Sequence, residues 1–173
     1  QLSAAVDSED RNMSPTEQLR KPLRQCLASG PNCCAAVQVA DQVEPLGQLL
    51  VVDQLDRLKI PFVLIETNEG LYHQLLQEGM PVVHGDAKRH DTLQKAGIER
   101  ARGICVVIDN DSDNLYITVT AKAMAPKLRV ITRAGQQRYA QAMRKSGADE
   151  VIIPEHEGGL MVGRMIEKYS VTV

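Results

Sequence analysis

The chain has 173 residues, 43% of them hydrophobic, with 20 Lys and Arg against 22 Asp and Glu for a net charge of -2. That length and apolar fraction fit one domain able to bury a core without disulfides or metal, and a near-neutral chain with scattered cations excludes nucleic acid and gives no field for an anionic membrane. No apolar run approaches the ~18–20 residues that span a bilayer, so the reading is a soluble, cytoplasmic piece with no direct membrane insertion, and the opening Gln1 in place of Met points to a fragment of a longer protein.

Residues 1–13 are polar and unpatterned and read as a lead-in. Ser14-Pro15-Thr16-Glu17 then supplies an N-cap, a proline at the first helical position and a capping-box glutamate, which predicts a linker helix to about Leu27, stopped by Gly30-Pro31. Cys26, Cys33 and Cys34 show no metal-ligand spacing. From residue 34 onward, short apolar runs alternate with amphipathic stretches, the pattern of a parallel sheet with crossover helices. The division is therefore a lead-in and linker helix over 1–33 and a domain over 34–173.

Six strands are expected, at Ala35 to Ala40, Phe62 to Glu66, Pro81 to His84, Gly103 to Ile108, Arg129 to Thr132 and Glu150 to Ile153. The intervening helices are expected over Leu46 to Leu58, Glu69 to Gln77, Asp91 to Gly97, Ser112 to Met124 and Gln136 to Ser146, with a last one from about Gly158 to Tyr169. Gly79, Gly97 and Gly147 stand just past three of these, where a left-handed C-cap favours glycine. Cys105, inside Gly-Ile-Cys-Val-Val-Ile, reads as a small core residue. The fold class is α/β: a Rossmann-type, doubly wound, six-stranded parallel sheet preceded by an N-terminal linker helix.

In the helix Ser112 to Met124, the apolar residues Leu115, Tyr116, Ile117, Val119, Ala121 and Ala123 do not keep to one stripe. The last helix likewise carries Leu160, Met161, Met165, Ile166 and Tyr169 after the sheet is complete. A helix apolar on most sides needs cover on most sides, so both faces are expected in a homodimer or larger homo-oligomer; the plain alternative is that they only cover the sheet.

Two features point to nucleotide chemistry. The strand ending in Glu66, followed by Thr67 and Asn68, and the next ending in Gly85-Asp86-Ala87 match the adenosine-gripping half of a dinucleotide-binding βαβ unit. The phosphate half does not match: where Gly-x-Gly-x-x-Gly belongs the chain reads Ala40-Asp41-Gln42-Val43-Glu44-Pro45-Leu46-Gly47. Glycine serves there by reaching positive φ and letting N–H groups approach phosphate, which Gln, Val or Pro does not do. Asp41 and Glu44 add carboxylates, and like charges ~5 Å apart near a surface repel by a few kcal/mol at an effective dielectric of ~20. The same carboxylates alternatively satisfy the helix dipole themselves.

The succession Ile-Pro-Phe-Val-Leu-Ile-Glu, Gly-Met-Pro-Val-Val-His-Gly-Asp-Ala, Leu-Gln-Lys-Ala-Gly-Ile-Glu-Arg-Ala-Arg-Gly, Asp-Asn-Asp-Ser-Asp-Asn-Leu, Leu-Arg-Val-Ile-Thr-Arg-Ala and Ser-Gly-Ala-Asp-Glu-Val-Ile-Ile-Pro resembles the N-terminal lobe of the regulator-of-potassium-conductance (RCK) domain, the nucleotide-binding domain of Trk-type potassium uptake systems, over about residues 35 to 169. That resemblance implies a cytoplasmic regulatory domain at the inner face of the cell membrane, dimerising, binding adenine nucleotide or NAD(H), and acting on a potassium channel or transporter subunit. It implies that Glu66, 19 residues past Gly47, accepts from ribose hydroxyls and that Asp86 faces the adenine edge. It also implies that Asp109 and Asn110 line the same crevice and that Arg133 meets phosphate or a partner-subunit carboxylate. With Ala40, Gln42 and Gly47 on the turn, the expectation is weak or absent binding of nucleotide. Glu66 and Asp86 have a plainer alternative as helix caps or solvated strand ends.

No catalytic group is singled out: His84 reads as packed or solvated, Glu155-His156-Glu157 lacks the further ligands a metal needs, and the acidic run Asp109 to Asp113 at a helix start reads as capping. No metal and no catalysis are expected. Two competing readings remain, a nucleotide-binding domain of an NAD(P)-dependent oxidoreductase and a ligand-free assembly module.

Overall fold

The computed structural model describes residues 35–38 and 46–170, with side chains from residue 51 onward. The expected helix at Ser14 to Leu27, and Ala40 and Gln42 of the turn, lie outside the described residues. Six strands alternate with helices: β1 (Ala35–Gln38), α1 (Leu46–Arg57), β2 (Phe62–Glu66), α2 (Glu69–Gln77), β3 (Val82–His84), α3 (His90–Lys95), β4 (Gly103–Val106), α4 (Asp111–Met124), β5 (Arg129–Arg133), α5 (Gln137–Lys145), β6 (Glu150–Ile152) and α6 (Pro154–Ser170). The strand order is β3-β2-β1-β4-β5-β6, parallel at every junction, with Val37 opposite Leu64 on one side and Cys105 on the other. This is the doubly wound Rossmann order, whose direction reverses between β1 and β4.

Strand β2 shows why the sheet is coated twice. All five of its residues are buried, and they divide by parity: Val63 and Ile65 join a core with Leu93, Ile104, Val106, Ile117 and Met143, while Phe62 and Leu64 join another with Val52, Leu75 and Val82. Successive side chains leave a strand on opposite faces. Helices α1 and α2 therefore cover one face, and α3, α4 and α5 the other.

Where boundaries differ from the sequence expectation, local hydrogen bonding explains it. β4 stops at Val106 instead of Ile108 because the Ile108 N–H and carbonyl are taken by the Asn114 side chain, at 3.2 and 2.6 Å, in place of a neighbouring strand. The helix expected to reach Gly97 ends at Lys95; Gly97 turns left-handed at φ 80° and a 3-10 turn follows over Ile98–Arg100. The last helix begins four residues before the expected Gly158, with Pro154 at a position where a missing N–H costs nothing. Glu155, His156 and Glu157 thus form its first turn, and no metal-ligand cluster occurs among the described residues.

The opposite edge of the sheet is fastened by Asp149, whose carboxylate accepts the Val130 N–H at 2.8 Å and the Lys122 ammonium at 2.9 Å; Lys122 also reaches the Leu128 carbonyl at 2.7 Å. The Val130 N–H, followed by Lys122, holds this carboxyl below the usual aspartate range. A depressed folded-state value stabilises the fold above the unfolded value of about 3.9 and ceases to as the pH falls through the folded one. Urea unfolding should therefore show Asp149→Asn clearly less stable than the parent at neutral pH, with the gap closing below about pH 4. An equal gap at both pH values would contradict this role.

Candidate functional site

The candidate residues gather at the carboxyl edge of the sheet, flanking the point where strand order reverses, the usual ligand position in open α/β sheets. Glu66, the last residue of β2, is 0% exposed. Its Oε1 accepts the Asn68 N–H at 2.6 Å, and its backbone carbonyl accepts the Gly85 N–H at 2.9 Å. A carboxylate is costly to bury unless hydrogen-bonded, and the chain's bend into α2 supplies such a bond. Glu66 is thus neither a solvated strand end nor the cap of α2, since Asn68 performs the capping by accepting the Leu71 N–H at 2.9 Å.

The neighbouring β3 end lies against β2 in register, Glu66 opposite His84. His84 Nε2 lies 3.1 Å from the Thr67 carbonyl, and its ring packs 5.1 Å from that of Tyr72. Gly85 follows at φ 151°, where an added Cβ would sit 2.7 Å from the Thr92 hydroxyl oxygen; glycine is required by both space and conformation. The chain then turns at Asp86, whose Oδ1 accepts the Lys88 N–H at 2.8 Å, and buries Ala87 completely. Glu66 and Asp86 accordingly share one rim, with Thr67, Asn68 and Ala87 beside them. Asp86 closes a local turn through its bond to the Lys88 N–H and does not cap the following helix, whose N-cap residue is Arg89.

Across the crevice, Asn110 caps α4 by accepting the Asp113 N–H at 3.0 Å, and Asp109 pairs with Arg133 from the end of β5. Arg133 therefore meets a carboxylate of its own chain. Asp111 accepts the Gly135 and Gln136 N–H groups at 2.7 and 3.1 Å, tying the start of α4 to the loop before α5. Gly47 is the second residue of α1.

Two residues that the sequence reading did not single out organise this edge. Lys88 Nζ lies 3.0 Å from Asp113 and 3.6 Å from Asp86, bridging the loop after β3 to the first turn of α4; its bond to Asp113 raises the ammonium above its ordinary value. Asn114 is fully buried and its Nδ2 donates to both the Ile108 and the Arg133 carbonyls, at 2.6 and 3.0 Å. The only sequence signal for either was position: Lys88 two residues past Asp86, and Asn114 directly after an acidic run that reads as capping.

Comparison with known proteins agrees with the sheet topology. The TrkA-N domain family matches residues 46–154. Potassium channel protein 1 of Methanocaldococcus jannaschii is 31% identical over 122 residues, 69% of this chain and 36% of that protein, so the chain spans about a third of the relative's length. Among solved structures, the TrkA-N domain of the inner membrane protein ybaL from Escherichia coli superposes with a TM-score of 0.70 at 25% identity, covering 76% of this chain and 94% of that one. The crystal structure of GsuK bound to ADP gives 0.64 at 25% identity, covering 91% of this chain and 39% of that one. The motif order and the sheet topology thus converge, and the chain belongs to the TrkA-N domain family.

Proposed function

We propose that this domain is a cytoplasmic ligand-sensing regulator of a potassium channel or transporter, working at the inner face of the membrane and performing no catalysis. Its crevice takes the adenosine part of an adenine nucleotide or NAD(H), with Glu66 accepting from the ribose hydroxyls and Asp86 facing the adenine edge. The observation that carries this reading is the buried carboxylate at the end of β2, hydrogen-bonded to Asn68 and backed by the Gly85–Asp86 turn. The relative named as a potassium channel and the ADP-bound GsuK structure support the same direction. Thr67, Asn68 and Ala87 border the base; Asp109, Asn110 and Arg133 form the opposing wall, where the Asp109–Arg133 pair leaves the guanidinium engaged with its own chain. In the sequence from Ala40 through Gln42 to Gly47, the missing glycines and added carboxylates weaken phosphate binding.

Calorimetric titration with AMP, ADP, ATP and NADH tests the ligand. Binding is expected to be weak and to gain little from additional phosphates, and Glu66→Ala and the isosteric Glu66→Gln should each weaken it by about tenfold or more through the lost carboxylate bonds. Tight ATP or NADH binding that grows with phosphate number, or binding indifferent to Glu66, would overturn the proposal.

The regulatory part of the reading rests on assembly. Every residue of α6 is exposed, including Met165 at 49%, Ile166 at 60% and Tyr169 at 78%, and α4 leaves Tyr116 at 56% and Val119 at 48%. Covering the exposed half of such side chains contributes roughly 1 kcal/mol each, which is the reason for placing a second copy of the chain on α6. Sedimentation velocity should find a dimer that Ile166→Asp converts to monomer without loss of helix content. A parent monomeric at every accessible concentration would contradict this.

A further inference from the structure

At the β3 side of the cleft a hydrogen-bond donor and an acceptor stand side by side. Gly85, whose φ of 151° and crowding against Thr92 leave no room for a side chain, and the fully buried Ala87 fix the backbone on either side of Asp86. Asp86 Oδ1 accepts the Lys88 N–H at 2.8 Å, and its Oδ2 lies 3.6 Å from the Lys88 Nζ. That ammonium is held from across the cleft by Asp113, whose Oδ2 is 3.0 Å away and whose own N–H is fixed on Asn110. The neighbouring Arg89 is engaged elsewhere, with Asp91 at 3.0 Å. The Lys88, Asp86 and Asp113 side chains are 39, 35 and 33% exposed, so the group is partly buried yet open to a ligand.

The Asp113 bond uses one of the three N–H donors of the ammonium, and 3.6 Å is too long for a hydrogen bond to Asp86. A donor of Lys88 and an acceptor of Asp86 therefore remain adjacent, each able to meet a ligand atom. The bond to Asp113 raises the ammonium above its ordinary value, so Lys88 acts only as a donor at physiological pH, while an ionised carboxylate only accepts. Two neighbouring purine atoms carry the complementary pattern. Adenine offers its 6-amino group as donor and N1 as acceptor, and a 6-oxopurine offers O6 as acceptor and N1–H as donor. Each fits the pair, with the roles of positions 1 and 6 exchanged. A carboxylate alone would favour the amino base, because a purine carbonyl facing it would set two acceptors against each other.

We infer that Lys88 is a specificity-determining residue, donating to N1 of a 6-aminopurine or to O6 of a 6-oxopurine while Asp86 accepts from the other position. The cleft then takes either class of purine nucleotide. The inference rests on the reading of the crevice as an adenosine site and goes beyond it in the bases admitted.

Amide-resolved NMR titration with AMP, IMP and 1-deaza-AMP, whose ring carries C–H in place of N1, tests it. The parent should bind AMP and IMP within about threefold of each other, and 1-deaza-AMP about fivefold more weakly than AMP, the effect of a charged hydrogen bond discounted for partial exposure. Lys88→Met, an uncharged side chain of similar length, should bind AMP and 1-deaza-AMP equally and IMP about tenfold more weakly than the parent does. The analogue comparison is made on the parent, so it does not depend on how the variant folds. No AMP binding by the parent would overturn the adenosine reading and this inference with it. AMP binding that 1-deaza-AMP equals in the parent, IMP rejected by the parent, or discrimination between AMP and 1-deaza-AMP kept in Lys88→Met would overturn the role of Lys88 alone.

Discussion

Everything at the crevice depends on β1 being paired on both sides. Its four residues run parallel to β2 and to β4 at once, so one register fixes where both neighbours end. Because the chain leaves β1 first toward β2 and β3 and later returns to β4, the connections part at this strand and open a cleft above it. A slip of one residue would send Val63 and Ile65 to the α1 and α2 face and exchange the two cores. The register that sorts the apolar residues is therefore also what brings Glu66 to the rim.

On that framework, polar side chains replace the ladder wherever strands stop. Glu66 is held by Asn68, Asn114 completes the backbone of Ile108 and Arg133, and Asp111 gathers the loop ahead of α5. Lys88 then spans the cleft between Asp86 and Asp113. Buried polar groups are expensive without partners, so this edge is specified as tightly as the apolar core. A ligand entering between Asp86 and α4 would meet the Lys88 bridge to the first turn of α4.

The strands were legible in the sequence because both faces of the sheet are covered, which leaves near-continuous apolar runs such as Phe62–Glu66 bounded by polar turns. Gly97 was legible for another reason, since a left-handed position after a helix leaves few choices of residue. The start of α6 was expected at Gly158, four residues late, because the polar Glu155-His156-Glu157 carries no apolar pattern to mark a first turn. Glu66 and Asp86 could be found because each ends a strand run, and they do share one rim. Lys88 and Asn114 could not, since the partners that make them bridges, Asp113 and Arg133, lie 25 and 19 residues away and no local pattern announces those contacts.

Among the described residues the domain thus offers a carboxylate-lined cleft at the carboxyl edge of the sheet and an exposed apolar helix, α6, at its end. Regulation of a partner is physically coherent on such a body if occupancy at an edge changes how copies sit against one another. The central claim is that adenosine is gripped at the rim formed by β2 and β3. It is tested most directly by crystallising the chain with AMP. The account predicts the ribose hydroxyls on the Glu66 carboxylate with the base beside Asp86; AMP bound elsewhere, or a ribose turned away from Glu66, would contradict it.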